Sequence, residues 1–172
     1  MSVLNWRFAH THESEWSSRP TVQLGPASLG SPWAYLLICR GEDPWLRVCL
    51  ELDEHEYPHL EECLLWRSAL WVGYGGRVCR IDPESLVVRQ HRLSWYFDQF
   101  YPLEDSLLVC SASHLTRLDP DGNLLWTSPE IGLDGVLVSN VQDGIIEGQG
   151  EYDPPGGWVD FRLDLNRGEL LT

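Results

Sequence analysis

Apolar residues along this chain fall in short runs separated by polar turns rich in Gly and Pro, not in a stripe of helical spacing. Leu107 to Cys110 is one such run. A short continuous apolar stretch bounded by turn residues predicts a strand buried on both faces. His114 to Leu118 follows with rough alternation and predicts a second strand. Asp119-Pro-Asp-Gly122 then predicts a tight turn, because Asp caps it, Pro presets φ and Gly accepts a positive φ. Leu124 to Trp126 opens an outer strand. No window sustains apolar residues at 3.6-residue spacing over three turns, so little helix is expected. The best helical candidate is His59 to Trp66, and its second half also fits a strand.

The pattern recurs. Ser68 to Arg89 reads SALWVGYGGRVCRIDPESLVVR, and Asp105 to Trp126 reads DSLLVCSASHLTRLDPDGNLLW. A shift of 37 residues lays Val72 on Val109 and Arg80-Ile81-Asp82-Pro83 on Arg117-Leu118-Asp119-Pro120. A third copy runs from Gly144-Ile145-Ile146 to Phe161-Arg162-Leu163-Asp164, with an insertion, Glu151 to Trp158 (EYDPPGGW), between its strands. A fainter copy precedes these: Ala34 to Arg40, a turn at 41–44, then Trp45 to Leu52. Asp53, Asp82, Asp119 and Asp164 would mark corresponding turns. The expected organisation is one β-repeat domain over 1–172, with a weak first unit at about 21–60 and repeats at about 61–96, 97–133 and 134–172.

The segment from His114 through Arg117-Leu118-Asp119-Pro-Asp-Gly-Asn-Leu-Leu-Trp126 resembles the repeat of quinoprotein-type (PQQ-like) β-propellers. In that family an apolar strand ends in Asp, a Gly-containing turn follows, and a Trp docks one blade on the next. The likeness covers one blade well and two more weakly. Trp126 comes one residue early, and Val88 and Leu170 lie near the equivalent positions of the other units. The family's dehydrogenases bind a quinone and calcium on a much longer ring, so the resemblance implies fold and not that chemistry. The expected fold is therefore all-β: a small or partial β-propeller of three to four antiparallel blades, with a β-sandwich as the alternative. Four blades would close if the strand near Trp6 to His10 completed the last sheet.

Composition narrows the function classes. With 172 residues, 43% of them hydrophobic and nine Trp, the chain is expected to fold. Cys39, Cys49, Cys63, Cys79 and Cys110 form no CxxC pair and sit mostly inside apolar runs, which reads as reduced, buried thiols in a cytoplasmic protein. The apolar runs are too short to cross a bilayer, and Met1 to His10 lacks the charged-then-apolar pattern of a secretory signal. A net charge of −14 argues against nucleic acid or an anionic membrane as partner and favours a basic protein.

Candidate chemistry is sparse. His55-Glu56-Tyr57-Pro58-His59 matches HExxH, which binds zinc when a helix sets the two His one turn apart. On a strand they would lie roughly 13 Å apart, beyond one metal's reach. Pro58 tolerates a helix only if it starts near His55. A metal-dependent hydrolase using His55, His59 and Glu56 is thus a minor alternative, as is a small-ligand-binding propeller. His10-Thr-His12 lacks a partner cluster. The glycines of 73–76 have no phosphate-loop context, and Asp119 to Asn123 is a turn, not a calcium loop. No cofactor is expected. Catalytic residues are not assigned.

Two surface features remain. From Glu51 to Glu62 there are six acids (Glu51, Asp53, Glu54, Glu56, Glu61, Glu62) and no Lys or Arg. Trp95, Tyr96, Phe97, Phe100 and Tyr101 put five aromatics in seven residues. Part of that run, with Trp158 of the insertion, is expected to face a partner. The reading is a non-catalytic, acidic protein-binding module, of which an immunity or antitoxin-like inhibitor of a basic protein is one form; self-association is the other partner expectation.

Overall fold

The computed structural model describes residues 3–26, 31–56, 59–153 and 156–172. The apolar runs become strands, and the polar stretches between them become turns. The protein is all-β, with four small sheets and, among the described residues, no helix beyond a single 3-10 turn at Ser14–Trp16. Among the described residues, no strand pairing joins one sheet to another. The chain divides into two compact units, 1–56 and 57–172.

The first unit holds sheet 1, built from β1 (Leu4–Ala9), β2 (Thr21–Leu24), β3 (Ala34–Arg40) and β4 (Asp43–Leu50) in the order β1-β3-β4-β2. β3 is almost wholly buried and forms a hairpin with β4. β2 lies parallel to β4, with Val22 opposite Val48. The strand near Trp6 does not complete the last sheet: β1 pairs antiparallel along the whole of its length with β3, Trp6 opposite Ile38. A fully buried strand needs partners on both edges to satisfy its backbone, and β1 supplies the second one. Trp16, Tyr35, Leu37 and Cys49 form a local core with Ala9.

The second unit holds three antiparallel meanders. Sheet 2 comprises β5 (Glu61–Trp66), β6 (Ala69–Tyr74), β7 (Arg77–Ile81) and β8 (Val88–Arg92). Sheet 3 comprises β9 (Phe97–Pro102), β10 (Leu107–Ser111), β11 (Leu115–Leu118) and β12 (Leu124–Thr127). Sheet 4 has β13 (Val136–Gln142), β14 (Ile145–Glu151) and β15 (Trp158–Asp164). Where the other two sheets have a fourth strand, sheet 4 has a single bridge, Leu163 to Leu170. Trp71 and Val78 of sheet 2 pack with Phe97, Leu107 and Val109 of sheet 3, and Gly73 lets the Phe97 ring approach so closely that a Cβ there would lie 2.2 Å from it. Leu108, Cys110, Leu115 and Trp126 pack with Val136, Ile146, Phe161 and Leu163 of sheet 4.

Polar bonds repeat from sheet to sheet. Arg80 Nε donates to the Pro120 carbonyl at 2.8 Å, and Arg117 Nη1 to the Leu165 carbonyl at 2.8 Å. Both arginines stand two residues before a turn Asp, and both acceptors stand one residue after the turn Asp of the next sheet. The turn aspartates cap in the same manner: Asp82 Oδ1 accepts the Ser85 N–H, Asp119 Oδ1 the Asn123 N–H and Asp164 Oδ1 the Arg167 N–H. Short polar side chains that bond backbone donors two to four residues on fix such turns locally.

Candidate functional site

In each sheet of the second unit, a polar side chain stands one or two residues ahead of the first strand. His59 precedes β5, Tyr96 precedes β9 and Asp134 precedes β13. They meet in sequence. The His59 and Tyr96 rings lie 4.4 Å apart, and Tyr96 Oη donates to the Asp134 carbonyl at 2.8 Å and carboxylate at 2.6 Å. Burial, followed by the bond to Asp134, pushes the Tyr96 phenol well above its ordinary value, so it remains a protonated donor at neutral pH.

Two further carboxylates stand beside this chain of contacts. Glu62 Oε2 accepts the Phe100 N–H at 2.9 Å, which ties β5 to β9. Asp98 on β9 is half-buried, and burial raises its carboxyl above the usual range while His59 opposes the shift. Beyond Asp134, Gly135 makes room for Trp158: a Cβ there would lie 3.1 Å from the indole. The Glu151 carbonyl accepts the Leu133 N–H at 2.7 Å, and its carboxylate accepts the Gly156 N–H at 2.7 Å.

Exposed apolar side chains neighbour these groups along the chain. Trp95 is 63% exposed and Leu133 51%, with Tyr152 and Trp158 about 40%. Carboxylates bordering open aromatic faces suit a cation, above all an Arg or Lys side chain, through ion pairing and cation–π attraction. Among the described residues, no group of three or more His, Cys, Asp or Glu is placed to hold a metal ion.

The expected site residues fall into three sets. Trp95, Tyr96 and Trp158 lie at this surface, and Tyr101 on β9 is half-buried against the core between sheets 3 and 4. Phe97 does not face out: it is fully buried, because β9 turns it onto sheet 2 one residue after Tyr96. Of the six acids, Glu51 is also buried, and its carboxylate accepts from Gln23 Nε2 at 2.8 Å. Glu56 turns back on the Asp53 N–H, Glu54 is exposed in a turn, and Glu61 and Glu62 lie half-buried on β5. The acidic stretch is thus partly consumed by internal bonds.

Tyr57 and Pro58 of the HExxH match lie outside the described residues. The described residues on either side form a turn and then strand β5, and none of them is helical, whereas two zinc-binding His one turn apart need a helix. His10 packs on Trp33 and His12 on Tyr35, with His12 also within 3.3 Å of Arg47 Nη1. Asp119 to Asn123 is a closed turn whose Asp binds Asn123 through both carboxylate oxygens.

The sequence reading missed Asp98, Leu133, Asp134 and Glu151. A signal existed for Asp134: His59, Tyr96 and Asp134 are spaced by 37 and 38 residues, the period of the repeat. No family model matches the chain, and no curated protein is similar to it.

Proposed function

We propose that the protein is a non-catalytic, acidic module that binds a basic protein partner through the surface around Trp95, Asp134 and Trp158. The observation that carries this reading is the exposed Trp95 next to Tyr96 and its bond to Asp134. Large exposed aromatics beside carboxylates are typical of binding hot spots, and they cost solubility when they serve nothing. The charge of −14 would steer a cationic partner towards it. Five free thiols, four of them buried, fit a reducing, cytoplasmic compartment. An immunity-type inhibitor of a basic protein is the form that size and charge favour.

The test is capture of partners from native lysate on wild type, Trp95→Ala and Trp158→Ala, at about 50 mM and about 500 mM salt. One basic protein should be retained by wild type, weakened several-fold at the higher salt, and lost with either variant. Because Trp95 is so exposed, its removal should change stability by less than about 0.5 kcal/mol. Retention that ignores both substitutions refutes the assignment.

A further inference from the structure

β15 is an open sheet edge. β14 and β15 pair from Glu151 opposite Trp158 to Ile145 opposite Asp164 with no bulge. On the other side of β15, the Leu171 N–H bonds the Arg162 carbonyl, and the Asp164 N–H bonds the Glu169 carbonyl. Successive residues of a regular strand direct their backbone groups to alternate sides. Arg162 and Asp164 therefore point away from β14, and so do Asp160 and Trp158. Among the described residues, only the Asp164 end of this edge is covered by backbone bonds. Among the described residues, the N–H and C=O of Asp160 have no partner, and Asp160 is exposed.

The sister sheets do not leave this edge open. β7 is covered by β8 and β11 by β12, whereas the corresponding place in sheet 4 is filled by one bridge at Leu170. Three usual protections of an edge, a Pro, a bulge and a Lys, are also missing from β15. Its one basic residue, Arg162, is held by Glu147 at 3.5 Å. Val159, on the face that Phe161 and Leu163 share, is 53% exposed, a position that an added strand could cover. A cleft of about 430 Å³, lined by Ser139, Glu147, Gln149, Asp160, Phe161 and Arg162, crosses the face of sheet 4 from β13 to β15.

We propose that an extended, basic segment of a partner protein adds to β15 as the fourth strand of sheet 4, pairing with Trp158 to Arg162. This rests on the binding function proposed above and specifies its mode. Main-chain bonds supply affinity in such strand addition, and alternate side chains supply specificity. The charge fixes the occupant: residues 134–172 carry eight acids and two arginines. The incoming strand would set an apolar side chain beside Val159 and Lys or Arg beside Asp160.

The probe is a ten-residue peptide of alternating Val and Lys, with a second version N-methylated on alternate residues to remove the pairing N–H groups at equal charge. Amide exchange is read by NMR on the full chain. The Asp160 and Arg162 amides should slow by about tenfold or more with the first peptide, and the methylated one should bind at least about tenfold more weakly. Equal binding of the two peptides overturns strand addition and leaves the acidic binding surface standing. Protection of Asp160 that grows with protein concentration, without peptide, assigns the edge to a second copy and overturns the proposal. No protection by either peptide overturns it as well, while Trp95→Ala capture decides the broader function separately.

Discussion

The contact between Trp126 and Gly168 is the most local test of how sheets 3 and 4 hold together. Trp126 is 8% exposed, its Nε1 donates to the Leu165 carbonyl at 2.9 Å, and its ring lies where a Gly168 side chain would have to go. A Cβ on Gly168 would sit 2.5 Å from the ring, and the residue has φ of +69°. Trp126→Ala removes a buried aromatic and should cost about 3–5 kcal/mol. The lost hydrogen bond adds little, because the Leu165 carbonyl keeps Arg117 Nη1. Gly168→Ala carries two penalties: about 1–2 kcal/mol for the left-handed backbone and about 1–3 kcal/mol for overpacking against the indole. Only the backbone penalty survives once Trp126 is gone. The double variant should therefore be more stable than the sum of the single losses predicts, by about 1–3 kcal/mol. Urea unfolding of the four proteins measures it, with Trp126→Leu as a milder replacement should Trp126→Ala unfold. Losses that add to within about 0.5 kcal/mol would refute the contact.

Asp98→Asn should stabilise the protein at pH 7 and leave it unchanged near pH 3. Burial raises the folded carboxyl's pKa above its unfolded value, so the stability it contributes is full below the unfolded pKa and is lost as pH rises through the folded one; thermal unfolding across pH checks the sign. Thiol titration of the native protein should modify Cys39 alone at an appreciable rate and all five cysteines after unfolding. Cys63, Cys79 and Cys110 are buried with their pKa pushed up to about 12, whereas Cys39 is only half-buried.

What could be read in the sequence was what local chemistry decides. Leu107 to Cys110 announced a buried strand because both faces of β10 are covered, which leaves no polar alternation to confuse the reading. The turn aspartates were legible because each bonds backbone donors within four residues. Non-local pairing was not legible. β2 runs parallel to β4, and nothing in Thr21–Leu24 says so. β1 alternates as any edge strand does, so its pattern fitted the last sheet as well as the first. The same limit explains the site. Trp95 and Phe97 are both aromatic, and the start of β9 alone makes one exposed and the other core. Glu51 is buried because Gln23, 28 residues away, reaches it.

The departures from the repeat gather in sheet 4, and they separate two demands. Arg80 and Arg117 each bond the next sheet, but Arg162, in the equivalent position, turns to Glu147 on its own sheet. Gln149 likewise bonds Asp160, so the face of sheet 4 away from sheet 3 is polar. A polar outer face is how a stack of repeats ends without exposing apolar surface. An end built only for solubility would close its edge as well, because free strand edges invite pairing. β15 leaves Asp160 open while the face beside it is closed to apolar packing. A partner that continued the stack would have to bury the Glu147–Arg162 and Gln149–Asp160 pairs against an apolar sheet, at a large desolvation cost. A strand laid along the edge leaves both pairs in water and satisfies the open backbone, so the edge is the lower-cost route of association for this sheet.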